Sequence, residues 1–166
     1  MPTITDTQEL IAALSPEETA EIAAEIAHVP EPASAMIEAL RIVQRHRGWV
    51  SDQSVVAIAR MLGTSTAEVD SVATFYNLIF RKPVGRHVVM YCDSVSCYVM
   101  GCDQLRVALQ EKLGLEPGET TSDGRFTLLP IVCLGACDHA PVMMIDEDLV
   151  LDVAPQKLDA VFGRYT

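Results

Sequence analysis

Apolar residues in the first half of the chain recur at the three- and four-residue spacing of amphipathic helices. Two S-x-x-E patterns, starting at Ser15 and Ser65, are typical of helix starts, because their side chains satisfy free backbone N–H groups. Gly48 is typical of a helix end, since glycine readily adopts the left-handed conformation there. These signals predict an N-terminal helical bundle, with helices over about residues 16–28, 33–47, 52–62 and 66–76.

Two of the predicted helices have a clear apolar face, which we expect to form part of the bundle core. The apolar faces consist of Met36, Ile37, Leu40 and Val43 on one helix and of Val69, Val72, Ala73 and Tyr76 on the other. The aromatic pair Phe75–Tyr76 has two interpretations. Helical spacing favours core packing, and the alternative is an interface anchor.

From Arg81 onward the pattern changes to short β-rich runs separated by turns. The predicted elements are strands over residues 87–91, 126–132, 142–145 and 149–153, with helices over 101–113 and 155–162. This order predicts a small α/β domain with helices covering a mixed sheet. The whole chain is therefore expected to be α+β, with a helical domain at 1–80 and an α/β domain at 81–166.

Composition agrees with a folded protein of this size. The chain has 166 residues, of which 49% are hydrophobic, enough for one medium core or two small ones. No apolar run approaches the ~18 residues that a membrane-spanning helix needs. Met1–Leu10 contains no Lys or Arg, unlike a targeting segment, so we expect a bacterial cytoplasmic setting and no direct insertion into a membrane.

The chain is acidic, with a net charge of −11 and a pI near 4.6. Binding to a nucleic-acid backbone depends on clustered Lys and Arg, so we expect no nucleic-acid partner. The charge is uneven: residues 1–30 contain six acids, whereas seven of the twelve basic residues lie between positions 31 and 86. This basic segment is either a docking face or an ordinary solvated helix surface.

All five cysteines lie between positions 92 and 137. In a reducing compartment such a cluster indicates metal binding or catalysis, because thiols there stay free. Four of them form the pairs Cys92-x4-Cys97 and Cys133-x3-Cys137, and each pair follows a predicted strand. If these strands are neighbours with their carboxyl ends together, the four thiolates converge at one edge of the sheet.

The spacing favours a [2Fe–2S] cluster over zinc. Zinc sites usually use C-x2-C pairs, and neither pair here has that spacing. A binuclear cluster accepts longer loops, and the small residues Gly135 and Ala136 would let the backbone approach its sulfides. The candidate ligands are Cys92, Cys97, Cys133 and Cys137. Zinc stays the alternative.

Two nearby residues are left out of this ligand set. Cys102 lies in a predicted helix, where a single cysteine is usually a small buried apolar side chain. His139 follows Cys137 by two positions, but a Rieske centre needs two histidines. The sequence also lacks a C-x-x-C dithiol and a glycine-rich nucleotide motif, so FMN and NADH, if involved, bind another protein.

Besides electron transfer, two further classes of function stay open on these residues alone. The predicted helices 52–62 and 66–76 have the order of a helix-turn-helix, which would suit a redox-sensing regulator, although the negative charge counts against DNA. The cysteines would alternatively hold zinc in an interaction module.

From about Ile37 to Leu151 the chain resembles the small [2Fe–2S] E-subunit family of bacterial NADH:quinone oxidoreductase, respiratory complex I. The matching segments are Gly48-Trp49-Val50, Val72-Ala73-Thr74-Phe75-Tyr76, Gly85-Arg86-His87, the two cysteine pairs and Ala140-Pro141. The resemblance implies a thioredoxin-like fold for the second domain and the same four cysteines as ligands. The acidic residues 1–30 are the least similar part.

The resemblance also implies an electron-transfer subunit of a proton-translocating NADH dehydrogenase that binds no substrate itself. In that family a partner subunit binds NADH and FMN, and the [2Fe–2S] cluster exchanges single electrons with the FMN. The expected partners are this flavin- and NADH-binding subunit and other subunits of the peripheral arm, at the cytoplasmic side of the bacterial inner membrane. Related subunits occur in NAD-linked formate dehydrogenases and NAD-reducing hydrogenases, so the host complex stays open.

Overall fold

A computed structural model describes residues 14–165, and these residues divide into two compact units at the boundary between Pro83 and Val84. The division into domains 1–80 and 81–166 stays a prediction. The expectation of no targeting segment in Met1–Leu10 lies outside the described residues. Over residues 14–165, no helix is long and apolar enough to cross a membrane.

The first unit is helical. Its elements are α1 (Pro16–Ala27), a 3-10 turn (Pro32–Ala35), α2 (Met36–Arg47), α3 (Asp52–Leu62) and α4 (Thr66–Phe75). Both predicted capping boxes are present, at Ser15 and Ser65, and α2 and α3 end at left-handed Gly48 and Gly63. These contacts lie within one turn of the helix ends, which is why the sequence predicts the bounds closely.

The core of the first unit lies between these helices, and it includes Ile22, Leu40, Val43, Ile58, Leu62, Val69 and Ala73. For two residues of the predicted apolar faces, the expected place in the core is wrong: Ile37 is 37% exposed and Tyr76 is 43% exposed. Ile37 lies at the margin of the buried stripe of α2, and Tyr76 lies beyond the end of α4. The prediction that Phe75 packs in the core is also wrong, since its side chain is 77% exposed. An interface role for the aromatic pair stays a prediction.

Four of the seven basic residues between positions 31 and 86 form ion pairs with acids. The pairs are Arg41–Glu38 at 3.1 Å, Arg45–Glu21 at 3.0 Å, Arg47–Glu18 at 2.5 Å and Arg81–Asp70 at 2.9 Å. This pairing neutralises much of the segment and favours an ordinary helix surface over a basic docking face.

The second unit is a mixed sheet with helices. Its strands are β1 (His87–Cys92), β2 (Phe126–Ile131), β3 (Met143–Ile145) and β4 (Asp148–Val150), and its helices are α5 (Val95–Val99), α6 (Cys102–Leu113) and α7 (Leu158–Phe162). Leu105 and Leu109 of α6 and Phe162 of α7 share a core with Val89 and Leu128 of the sheet. The predicted α+β class and the mixed sheet are confirmed. The predicted hairpin strand 149–153 begins and ends earlier, and α5 was not predicted.

The strand order β2-β1-β3-β4 places β1 between two neighbours. β1 and β2 are parallel, with Cys92 opposite Ile131, and β1 and β3 are antiparallel, with Tyr91 opposite Met143. Residues Val88 to Cys92 are all buried, as expected for a central strand. The carboxyl ends of β1 and β2 therefore lie side by side at one edge of the sheet.

Candidate iron–sulfur site

The first cysteine pair is assembled at the end of β1. Cys92 is the last residue of that strand, and Cys97 lies in α5, which begins three residues later. Both thiols are buried, with residue exposures of 2% and 1%. The Cys92 thiol and the Val142 backbone lie close enough to the Cys97 thiol to affect its pKa. The structure thus brings these two predicted ligands together inside the protein.

Burial dominates the protonation of the Cys97 thiol. It raises the pKa of the Cys97 thiol to about 11, and the nearby Cys92 thiol adds to the shift, while the backbone contact with Val142 opposes it. The thiolate is the form that binds metals. In the cluster-free protein Cys97 is therefore held as the neutral thiol, and metal binding there must release a proton.

The second cysteine pair lies in the ligand loop, residues 132–142, which connects β2 to β3. At one end of this loop the Ile131 carbonyl accepts a hydrogen bond from Asp93 N–H at 3.1 Å. At the other end the Val142 carbonyl accepts one from Cys92 N–H, also at 3.1 Å. Because both ends are bonded beside Cys92, the ligand loop passes the end of β1, which is the edge that the sequence predicted for the site.

Cys133 and Cys137 are exposed in the ligand loop. The Gly135 N–H donates to the Cys133 sulfur at 3.4 Å, with Gly135 in the left-handed conformation (φ +77°). Nowhere in residues 14–165 do three or more His, Cys, Asp or Glu side chains meet closely enough to hold a metal ion. The structure thus assembles Cys92 with Cys97 and does not bring Cys133 and Cys137 into the same group. The complete set of four ligands stays a prediction.

The donors present fit a [2Fe–2S] cluster in kind and in number. Two iron ions need two sulfur ligands each, and four free thiols are available on β1, α5 and the ligand loop. One pair is buried on regular secondary structure, and the other lies on a loop with small residues at Gly135 and Ala136. Such a loop gives backbone N–H groups access to the sulfides.

The two residues left out of the ligand set have different environments. Cys102 is the first residue of α6 and is 3% exposed, as expected for a small buried side chain. Burial, followed by the charge of Asp103, raises the pKa of its thiol. His139 is about half exposed, and its ring contacts Asp152 and Asp138.

An apolar surface next to the first cysteine pair was not predicted from the sequence. α5 buries Cys97 and exposes most of its other residues. We use the term apolar rim for the exposed side chains of Val95, Tyr98, Val99, Met100 and Val132, which are 59% to 76% exposed. The available signal was Ser94, a residue type that favours helix starts, followed by an apolar run too short for a periodicity test.

Residues 19–166 match the family model described as thioredoxin-like [2Fe-2S] ferredoxin. The chain belongs to the thioredoxin-like [2Fe–2S] ferredoxin family. It is 51% identical to the E subunit of NADH-quinone oxidoreductase from Escherichia coli (strain K12) and 48% identical to the one from Pseudomonas aeruginosa. Each match spans 152 residues, or 92% of this chain and 92% of the relative. These matches confirm the resemblance to the E-subunit family.

A chain of an NAD+-reducing [NiFe]-hydrogenase has a similar fold, with a TM-score of 0.66. The similarity covers 79% of this chain and 22% of the hydrogenase chain, at 22% sequence identity. At that identity it bears on the fold alone. The cysteine spacing had left zinc as an alternative to the iron–sulfur cluster. Because the chain belongs to the thioredoxin-like [2Fe–2S] ferredoxin family, the metal centre is the iron–sulfur cluster.

Proposed function

We propose that this ferredoxin-family chain is the electron-transfer E subunit of a bacterial NADH:quinone oxidoreductase. Its [2Fe–2S] cluster would be held by Cys92, Cys97, Cys133 and Cys137. The observation that carries the proposal is the ligand loop, whose two ends are hydrogen-bonded beside Cys92. The identity of 48% to 51% with named E subunits, over 92% of the chain, supports this assignment over a formate dehydrogenase or hydrogenase subunit.

When bound, a [2Fe–2S] cluster supplies one-electron transfer. Cys92 and Cys97 would attach it to the buried end of β1 and to α5, while Cys133 and Cys137 would attach it from the exposed ligand loop. The Gly135 N–H, which already donates to the Cys133 sulfur, would stabilise negative charge on that ligand. Exposed ligands also shorten the path for an electron that enters from a docked partner.

The proposed partner is the flavin- and NADH-binding subunit of the same complex, whose FMN would exchange single electrons with this chain. The apolar rim supports such a contact, because exposed apolar patches commonly mark protein interfaces. Other peripheral-arm subunits would attach the complex at the cytoplasmic side of the inner membrane. In this role the chain binds neither NADH nor quinone.

Metal analysis of the full chain tests the cofactor. We expect about two iron ions and two acid-labile sulfides per chain, with an EPR signal on reduction. Serine substitution at any of the four ligand positions should abolish or alter that signal. Cys102→Ser is the matched control, since it changes another buried cysteine of the same unit and should keep the cluster. One zinc ion and no sulfide per chain would contradict the proposal.

Reconstitution with the flavin subunit tests the partner. NADH should reduce the cluster only when that subunit is present, and Tyr98→Ser or Val99→Ser on the apolar rim should weaken the complex. Val107→Ser on α6 is the matched control, because Val107 is also exposed but lies outside the rim. Reduction by NADH without the partner would contradict the proposed division of roles. Co-purification with formate dehydrogenase or hydrogenase subunits would identify a different host.

A further inference from the structure

The ligand loop has an additional attachment, at His139. The backbone N–H of Asp152 donates to the His139 carbonyl at 2.9 Å. The Asp152 carboxylate also lies 3.0 Å (Oδ2) from Nδ1 of the His139 ring. One residue further on, Val153 N–H donates to the Pro141 carbonyl at 2.9 Å. Residues 152 and 153 therefore run beside the last part of the ligand loop and hold it by backbone and side-chain contacts.

Asp152 is itself anchored to the core of the second unit. Its neighbour Val153 is 4% exposed and belongs to the same core as Leu158 and Met143. Lys157 Nζ donates to the Asp152 carbonyl at 3.3 Å. The backbone of Asp152 is left-handed, with φ +49°, a conformation that aspartate tolerates better than most residues with a side chain. The attachment thus connects the exposed loop to a rigid part of the fold.

The attachment acts close to one of the predicted ligands. Cys137 begins a 3-10 turn that ends at His139, and His139 N–H donates to the Ala136 carbonyl at 3.1 Å. Fixing His139 therefore fixes the turn that carries the Cys137 thiol. By contrast, Cys133 lies near the opposite end of the loop, where the backbone is held by the pairing of β1 and β2.

We propose that Asp152 is a positioning residue for the cluster. Through its two contacts with His139, Asp152 fixes the turn that carries Cys137. The inference rests on the proposed function, because Cys137 needs a defined position only as a ligand. Residues that hydrogen-bond next to a metal ligand commonly change metal retention when they are replaced, even though they do not touch the metal.

Two substitutions test the contribution of the Asp152 side chain. Asp152→Gly keeps the left-handed backbone and its N–H but removes the carboxylate, whereas Asp152→Asn keeps a side-chain acceptor for His139. The matched control is Asp146→Gly. Asp146 also has positive φ (+56°) and also contacts a histidine, His87, at 2.7 Å, but at the opposite end of β1 from Cys92.

The measurements are the rate of cluster loss to a chelator and the EPR spectrum of the reduced full chain. For Asp152→Gly we expect cluster loss about tenfold faster than in the wild type, together with shifted g-values. Asp152→Asn and Asp146→Gly should both behave as the wild type. In the cluster-free protein, amide hydrogen exchange at residues 137–139 should be faster in Asp152→Gly and unchanged in Asp146→Gly.

If Asp152→Gly retained its cluster as well as the wild type does, this inference would be overturned. The proposed function would not be affected, because the wild-type chain would still hold its cluster. Equal cluster loss in Asp152→Gly and Asp146→Gly would also overturn it, since both would then act through general stability. A wild-type chain that binds no [2Fe–2S] cluster would overturn the proposed function as well.

Discussion

Alkylation of the cysteines in cluster-free protein tests the candidate site without reference to electron transfer. Burial raises the pKa of the Cys97 thiol to about 11, against an ordinary value of 9.0. Iodoacetamide reacts with the thiolate, so the rate follows the thiolate fraction. At about pH 8 that fraction is roughly one in a thousand at Cys97 and roughly one in ten for an ordinary thiol. Protonation alone should therefore slow Cys97 about 100-fold, before its burial restricts access.

The expected order of reaction follows from the structure. Cys133 and Cys137 are exposed and should be modified first, whereas Cys97 should be modified last. Mass spectrometry of digested samples, taken over time, gives the rate at each position. Between about pH 7 and pH 9 the rate at Cys97 should rise about tenfold per pH unit, because its thiolate fraction stays small throughout.

Protein unfolded in urea is the control, because burial no longer distinguishes the thiols and all five cysteines should react at similar rates. Equal rates at Cys97 and Cys133 in folded protein would refute the reasoning. A rate at Cys97 that levels off by about pH 10 would refute it too, since the thiol would then have an ordinary pKa. Near-ultraviolet circular dichroism should confirm that the sample is folded before each measurement.

Three further predictions are measured by urea denaturation of the full chain. Glu18 is 1% exposed and accepts a hydrogen bond from Arg47 Nε at 2.6 Å, so Glu18→Gln should lower the free energy of unfolding by about 3 kcal/mol. Burial raises the pKa of Glu18, but hydrogen bonds, led by the one from Arg47, lower it overall. Wild-type stability should therefore fall as pH drops below 4.5, and the variant should lose less stability there because it lacks this carboxyl group. Equal acid sensitivity of the two proteins would contradict the pairing. Gly85→Ala would place a Cβ 3.0 Å from the Phe126 backbone and should cost about 1–3 kcal/mol, whereas an unchanged midpoint would show that the strands move apart easily. Phe75→Ser should change stability by less than about 0.5 kcal/mol, because Phe75 is 77% exposed, and a loss above about 2 kcal/mol would indicate a packed side chain.

Helix bounds and the positions of the cysteine pairs could be predicted because their signals are local. The capping box of Ser15 and Glu18 involves residues three apart, and Gly48 ends α2 through its own backbone conformation. Likewise, a β-rich run directly before Cys92 or Cys133 places each pair at a strand end without knowledge of the partner strand.

Residues whose role depends on distant neighbours could not be predicted in the same way. The five-residue helix α5 has no periodicity of its own, and Cys97 is buried because it packs beside Cys92 and Val142. Tyr76 has helical spacing from Val72 but lies beyond the end of α4. Asp152 has no motif at all, since its contacts with His139 join residues 13 positions apart.

The sequence by itself determined the type of chemistry, which is metal binding by cysteine thiols. Four cysteines in the pattern C-x4-C and C-x3-C allow few metal centres, and both the residue type and the spacing are present before the chain folds. Only the tertiary structure decided how the pairs differ. Parallel pairing of β1 with β2 and antiparallel pairing with β3 bring both ends of the ligand loop beside Cys92. That arrangement buries the Cys92–Cys97 pair and exposes the Cys133–Cys137 pair. Burial depends on which strands become neighbours, and strand neighbours are set by contacts between residues far apart in the chain.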